Sequence, residues 1–367
     1  MRIWFSLRFL LAAPLAAQQQ PQVLTRLPVG SESAPVLINP RSIAIGFDDR
    51  IYIGDESPAR VLSYDSTGKF LRAIGREGSG PGEFRSPNVG AGDVLVVNDG
   101  QLRRLSGFDT TGRLLWTKPG TCCRSRAIRV DQAGRIYVVS SPLVIGAGPL
   151  LDEMIIFSKE GVPRDTIHVP GFGSAEPGKR EWRQVTKEAA FAASIPFVPQ
   201  SHFAVTRTGF VVWGYSKVYT LMEGPDASVP RITIQRPWIA PSLSLTERQR
   251  AREASIGTYT RFVERPTLDR IFDLNDVPKQ APAFFALDVD ACGRWWVLRT
   301  SVYMDAPATF DVYSSGGAFQ ASVTLAAHLT GDTLWAVGRQ HMAALLKDEN
   351  DAPVLGVYRL PTLRGCA

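Results

Sequence analysis

The chain is poor in the residues that most often carry chemistry: its 367 residues include four cysteines, four histidines and five methionines. The histidines, His168, His202, His328 and His341, are scattered without a spacing that would bring two of them to one metal ion. No Gly-x-Ser-x-Gly elbow, phosphate loop, His-Glu-x-x-His or dinucleotide fingerprint occurs, which removes the enzyme classes that such motifs announce. No apolar run approaches the roughly 20 residues of a transmembrane helix, so no membrane span is expected. Long blocks of Lys or Arg are also missing. The formal net charge of +6 is spread along the chain, and a basic balance without a patch is a weak reason to expect nucleic acid, which is not anticipated as a partner.

At the N-terminus, Arg2 and Arg8 flank a short apolar run at residues 9–15, and Ala16, Ala17 and Gln18 follow. This pattern reads as a signal peptide over residues 1–17, leaving 18–367 as one secreted or periplasmic domain. Losing Arg2 and Arg8 takes the formal charge from +6 to +4. No cysteine stands just after the apolar run, which argues against a lipoprotein anchor. Cys122, Cys123, Cys292 and Cys366 would then sit in an oxidising compartment, where at least one structural disulfide is expected. If all four pair, three pairings are open. Adjacent Cys122 and Cys123 lack the spacing of a zinc knuckle.

What the chain has is strand material and turns. Thirty-two glycines and 26 prolines punctuate short apolar runs rich in Val, Ile and aromatics. Six strand-like cores begin at Ile51, Val94, Ile136, Phe210, Trp295 and Leu334. The first two steps, 43 and 42 residues, match the roughly 40–50 residues of a four-stranded propeller blade. The next are 74, 85 and 39 residues. The two long steps carry insertions, at about 172–199 and 238–282, that are expected to be helical, centred on 178–194 and on 243–263 with Thr246 as N-cap. Asp65 and Asp109 begin Asp-x-Thr-Gly turns in which the carboxylate caps the turn and Gly68 or Gly112 supplies a positive φ. The last blade is a strand short, and residues 22–30 are expected to complete it and close the ring.

Residues 51–87 resemble an NHL repeat. The resemblance rests on Asp55, Arg60, Tyr64, Asp65, Gly68 and Gly75, and on the run Gly78, Gly80, Pro81, Gly82, Glu83, Phe84 and Pro87. It is clearest over 48–87, fair over the next blade and architectural beyond that. It implies a six-bladed, TolB-like β-propeller; the fold expected is all-β, with the two helical insertions on one face.

In such a blade the start of the first strand, the end of the second and the inter-blade connections open on one face. Arg41, Asn88, Arg126 and His202 are placed before first strands; Asp55, Asp99, Arg299 and Arg339 are placed after second strands. A basic mouth follows, with Arg41, Asp55, Asp99, Arg126, His202, Arg299 and Arg339 as candidate ligand-binding residues for an anionic or polyhydroxylated ligand. No catalytic residue and no cofactor are expected. The reading is a monomeric, exported binding module for a protein partner or an anionic cell-envelope ligand. The alternative is a metal-dependent hydrolase or lyase of lactonase or esterase type, with calcium or zinc in the central channel held by residues such as Asp55, Asn98 and Asp99. Asp288 and Asp290 form an Asp-x-Asp that suits a strand-to-turn segment better than calcium. Trp295 and Trp296, adjacent on a strand, face opposite sides and suit inter-blade packing better than a stacking platform. The second insertion, over the mouth, is a candidate lid.

Overall fold

The smallest repeating device is the carboxylate-capped turn. Asp65 Oδ1 accepts from the backbone N–H groups of Thr67 and Lys69 at 2.9 and 3.0 Å, and Gly68 takes φ 86°, a conformation a side chain resists. Asp109 repeats this with Thr111 and Arg113. The same cap recurs at inner hairpins, where Asp131 holds Ala133 and Arg135 and Asp290 holds Cys292 and Arg294. Each turn reverses the chain between alternating strands, and four antiparallel strands make a blade.

The computed structural model describes the backbone of residues 22–26 and residues 34–121, 125–140, 153–168, 181–185, 190–226, 229–260, 263–300, 306–329 and 333–364. It is a six-bladed β-propeller. Blade one runs Pro40–Ile45, Ile51–Glu56, Ala59–Tyr64 and Phe70–Ile74, and blade two runs Pro87–Ala91, Leu95–Asp99, Arg104–Phe108 and Leu114–Pro119. Blade three is Ser125–Val130, Ile136–Ser140, Glu153–Phe157 and Pro163–His168; blade four is Ser201–Val205, Val211–Tyr215, Thr220–Gly224 and Ile232–Gln235. Blade five comprises Phe284–Val289, Trp295–Arg299, Ala308–Tyr313 and Phe319–Leu325. Blade six has Trp335–Val337, His341–Lys347 and Pro353–Arg359, and takes Gln22–Arg26 as its outer strand, with Thr25 opposite Arg359. The expected closure by the N-terminal segment is therefore present. That strand also runs parallel to the outer strand of blade five, Gln22 opposite Val323, so blades five and six share one eight-stranded sheet.

The sixth core needs a correction. Residues 335–337 are the innermost strand of blade six, not its second, which is His341–Lys347. A short apolar inner strand and a short apolar second strand look alike in sequence, and the hairpin register separates them.

Packing follows the ring. Among the described residues, one apolar cluster lies at each of the six blade junctions, as in the contact of Ile51, Ile53 and Leu62 with Ala343 and Val357 between blades one and six. Trp295 and Trp296 are both fully buried and pack on opposite sides of blade five, the first towards blade four and the second towards blade six. Cys292 is disulfide-bonded; the chain's other three cysteines, Cys122, Cys123 and Cys366, lie outside the described residues, as do residues 1–21 and 141–152.

A seventh core belongs to the insertions. The first is not helical where it is described: Glu181–Val185 and Ala190–Ser194 form an antiparallel hairpin with Trp182 opposite Ala193. Alanine, glutamate and lysine give this stretch helical propensity, but Trp182 and Ala193 are both buried against the second insertion, and tertiary packing overrides a weak local preference. The second insertion is helical, as α1 (Leu245–Tyr259) and α2 (Arg265–Ile271). Its N-cap is Ser244 rather than Thr246: Ser244 Oγ accepts from Glu247 N–H while the Glu247 carboxylate accepts from Ser244 N–H, a reciprocal capping box.

Candidate functional site

Two connections meet over the ring. The hairpin follows blade three and the helices follow blade four, yet they share one core in which Trp182 stacks on Phe272 at 4.3 Å between ring centroids. The Trp182 indole N–H donates to Asp276 at 2.9 Å. Arg248, nearly buried on α1, donates to the backbone carbonyls of Val277 and Leu274 at 3.0 and 2.8 Å. This joins α1 to the segment after α2 without an acidic partner, as a charge donating to carbonyls can do. The cap is thus one unit built from two insertions.

Beneath it lies a cleft of about 1120 Å³. One wall is the α1 face bearing Ala251, Ala254, Ser255 and Thr258, with Gly257 beside it. Their spacing of three and four residues puts the first four on one helix face. The hairpin exit supplies Ile195, Phe197 and Val198, and the floor is formed by Phe284 and Phe285 of blade five and by Leu345 and Leu346 of blade six. His202 and His328 also line it, the His202 ring lying 5.3 Å from that of Phe284. Among the described residues, the charged ones in the lining are Lys347 and Asp351, which pair with each other at 3.2 Å. An apolar concavity with a few polar groups is the usual form of a small-molecule site, and this one exceeds the ordinary 300–1,000 Å³ range slightly.

Of the seven residues anticipated as a basic mouth, His202 is the one that lines this cleft among the described side chains. Arg41 pairs with Glu56 at 2.8 Å. Asp55 is buried and accepts from the N–H of Asn39 at 2.8 Å, with Arg60 at 3.6 Å. Asp99 is buried and accepts from the N–H groups of Arg85, Ser86, Gln101 and Leu102. Arg299 stands 3.9 Å from Asp311. The backbone of Arg126 is in the first strand of blade three, and its side chain lies outside the described residues. Arg339 is placed elsewhere altogether. It sits in the turn between the first two strands of blade six, its N–H donating to Asp49 in the equivalent turn of blade one, on the face opposite the cap. The shift in the sixth core accounts for this. Of the related amides, Asn98 hydrogen-bonds to Thr121 at 3.0 Å, and Asn88 is buried.

The channel acids are also engaged. Arg129 of blade three reaches across the axis to Asp288 of blade five at 2.9 Å. Burial pushes the Asp288 carboxyl above its ordinary value, against the opposing pull of Arg129. Asp290 pairs with Arg294 at 2.6 Å and accepts from the Trp296 indole at 2.9 Å; burial raises its carboxyl too, with Arg294 opposing. Among the described residues no three His, Cys, Asp or Glu side chains gather in a geometry suited to a metal ion, and no helix is long and apolar enough to cross a membrane.

A family described as a six-bladed beta-propeller matches residues 36–100, which span blade one and the first half of blade two. No curated protein matches the sequence. An exported-protein candidate of Bacteroides fragilis is similar in fold at 11% identity, with 92% of this chain and 95% of that chain covered and a TM-score of 0.50. The WD40 repeats of RRP9 score 0.50 at 10% identity, covering 94% of this chain and 99% of theirs. A gluconolactonase of Xanthomonas campestris, at 10% identity with 94% and 100% covered, scores 0.42. At identities of 10–11% the likeness is one of fold.

The second insertion is the lid candidate of the sequence reading and His202 one of its site residues, but the apolar lining of the cleft was not anticipated. The signal available was the helix segment 251–258, where small residues recur at helical spacing beside Gly257. A face so free of bulk leaves space beneath it.

Proposed function

We propose that the protein is an exported binding module that takes its ligand in the cleft between the cap and blades four to six. The observation that carries this reading is a cavity of about 1120 Å³ walled by a dedicated cap, with an apolar floor formed by Phe284, Phe285, Leu345 and Leu346. The anionic-ligand reading is weaker, because Arg41 is paired with Glu56 and Arg339 faces away. The metal-dependent hydrolase reading lacks free ligands at Asp55, Asp99 and Asp288, each of which already accepts from arginine or backbone N–H groups. Membership of the NHL or TolB-like group, a monomeric state and export through a signal peptide cleaved after Ala17 complete the proposal, supported by the blade-one motif and the N-terminal pattern.

Gly257 gives a direct test. A Cβ built there meets nothing within 4 Å, so Gly257→Trp can place its ring in the cleft without disturbing the helix. Titration with the apolar fluorophore 1-aminoanthracene should show saturable one-to-one binding to the wild-type protein, and at least tenfold weaker binding to the variant at unchanged melting temperature. Equal binding by both proteins would remove the cleft from consideration.

A further inference from the structure

A second, smaller cavity opens on the face opposite the cap, where the first hairpins of the blades converge on the channel. It measures about 50 Å³, room for about three or four heavy atoms on a scale that gives one water about 10–15 Å³. Among the described residues its charged lining is Arg129, Arg207, Asp288 and Asp290. Three of these are spent on neighbours. Arg129 donates through Nε and Nη2 to Asp288 and through Nη1 to the Ile128 carbonyl, and Asp290 accepts from Arg294 and Trp296. Arg207, in the first hairpin of blade four, has no carboxylate or carbonyl partner. Its guanidinium instead lies over the ring of Phe47, 4.6 Å from the centroid. Phe47 belongs to the first hairpin of blade one, so in a six-bladed ring this cation–π contact crosses the channel mouth and fixes the plane of the guanidinium. Nε is buried without a hydrogen-bond partner, whereas Nη1 and Nη2 are unpaired but keep accessible surface.

We propose that this mouth is a second binding site, separate from the cleft under the cap, and that its ligand is a small monocarboxylate held end-on by Nη1 and Nη2 of Arg207. The two terminal N–H groups of an arginine match the two oxygens of a carboxylate. A partly desolvated cation without a counter-charge is unfavourable, and an anion at the accessible nitrogens relieves it. The cavity volume limits that anion to about the size of formate or acetate. Asp288 and Asp290 set its charge: both stand in the same lining, and a dianion such as sulfate meets twice the repulsion that a monocarboxylate does. A neutral amide of the same shape escapes the repulsion but forfeits the ion pair.

The test follows the line width of acetate, labelled with carbon-13 at its carboxyl, on titration with the full-length protein. Broadening should be saturable. Formate should displace acetate with similar potency, while sulfate and acetamide should be weaker by about tenfold or more, the margin of a charge-assisted hydrogen bond. Arg207→Gln should weaken acetate to the same extent; Arg207→Lys, which keeps the charge and loses the fork, should fall between. Phe47→Leu, which frees the guanidinium, should cost about two- to fivefold. Melting temperatures of the Arg207 variants should stay near wild type, because the bond from Gln132 N–H to the residue 207 carbonyl, 2.8 Å long, survives any substitution there. Equal broadening by wild type and Arg207→Gln overturns the proposal, since acetate then binds elsewhere. Sulfate as potent as formate overturns it in favour of an unselective anion site, acetamide as potent as formate shows that charge is not read, and absence of saturable broadening by the wild-type protein overturns it outright. None of these outcomes bears on the cleft, which the fluorophore titration tests separately.

Discussion

Asp311 has no solvent exposure and gathers partners from the turn before the third strand of blade four, from the outer strand of blade five and from the segment after blade four. Tyr219 and Ser322 each donate at 2.9 Å, and Arg236 is its ion-pair partner. Burial, then the charge of Asp311, pushes the Tyr219 phenol far above its ordinary value, so its hydroxyl remains a donor at any working pH. Asp311→Ala removes the acceptor and leaves Tyr219 and Arg236 without it, a change expected to cost about 3–5 kcal/mol, readable as a lower urea midpoint with unchanged slope. Asp109 makes a different prediction. Hydrogen bonds from Thr111, first of all its hydroxyl, and from Arg113 hold its carboxyl well below the ordinary 3.8. A carboxyl depressed on folding contributes stability above its unfolded value, and that contribution is lost as pH falls through the folded value. Melting temperatures should therefore decline below about pH 4, and Asp109→Asn should flatten part of that decline while lowering the melting temperature at pH 7. The two aspartates also show what a sequence discloses. The turn role of Asp109 is local, written within four residues. The role of Asp311 depends on Tyr219 and Arg236, residues about 90 and 75 positions away, and no pattern around it announces them.

At the scale of elements, the cap is the part least readable from the chain. The helix at 245–259 is marked by its capping box, whereas the hairpin at 181–194 is concealed by helix-forming residues and revealed by where Trp182 packs. Trp182→Ala should cost about 3–5 kcal/mol locally, with faster hydrogen exchange across 181–194 and 245–276 and little change in the blades. Gly257→Ala should do the reverse, strengthening α1 by about 0.5–1 kcal/mol, since the added methyl meets nothing. If exchange in α1 were unaltered by either substitution, hairpin and helix would not be one cooperative unit. Blade strands were legible because each repeats a buried apolar alternation bounded by capped turns. Insertions repeat nothing, and their partners are set by the ring. The surroundings of the expected basic mouth were hidden for a related reason: arginine positions are visible in sequence, but the Glu56 and Asp311 carboxylates beside Arg41 and Arg299 are visible only once strands are aligned.

For the whole molecule, the junction between blades six and one holds everything else in register. Asp49, at the first hairpin of blade one, accepts from the N–H groups of Arg339 and Gln340 in blade six, and the Gln22–Arg26 strand binds the final blade from outside. Removing residues 18–26 should lower the melting temperature by several degrees and expose the Pro353–Arg359 edge, detectable as concentration-dependent association in sedimentation. Reduction of the Cys292 disulfide should likewise destabilise the fold, by about 2–4 kcal/mol, in a comparison of denaturation with and without a reductant.

The outer strand of blade six has one more consequence, in time rather than space. Its partner at residues 353–359 is made about 330 residues after it. A chain emerging from the ribosome must therefore carry this strand without either neighbour until Phe319–Leu325 and then Pro353–Arg359 have been made. Five blades can form as they appear; the sixth waits for residues 353–359, and its assembly joins segments made far apart in time.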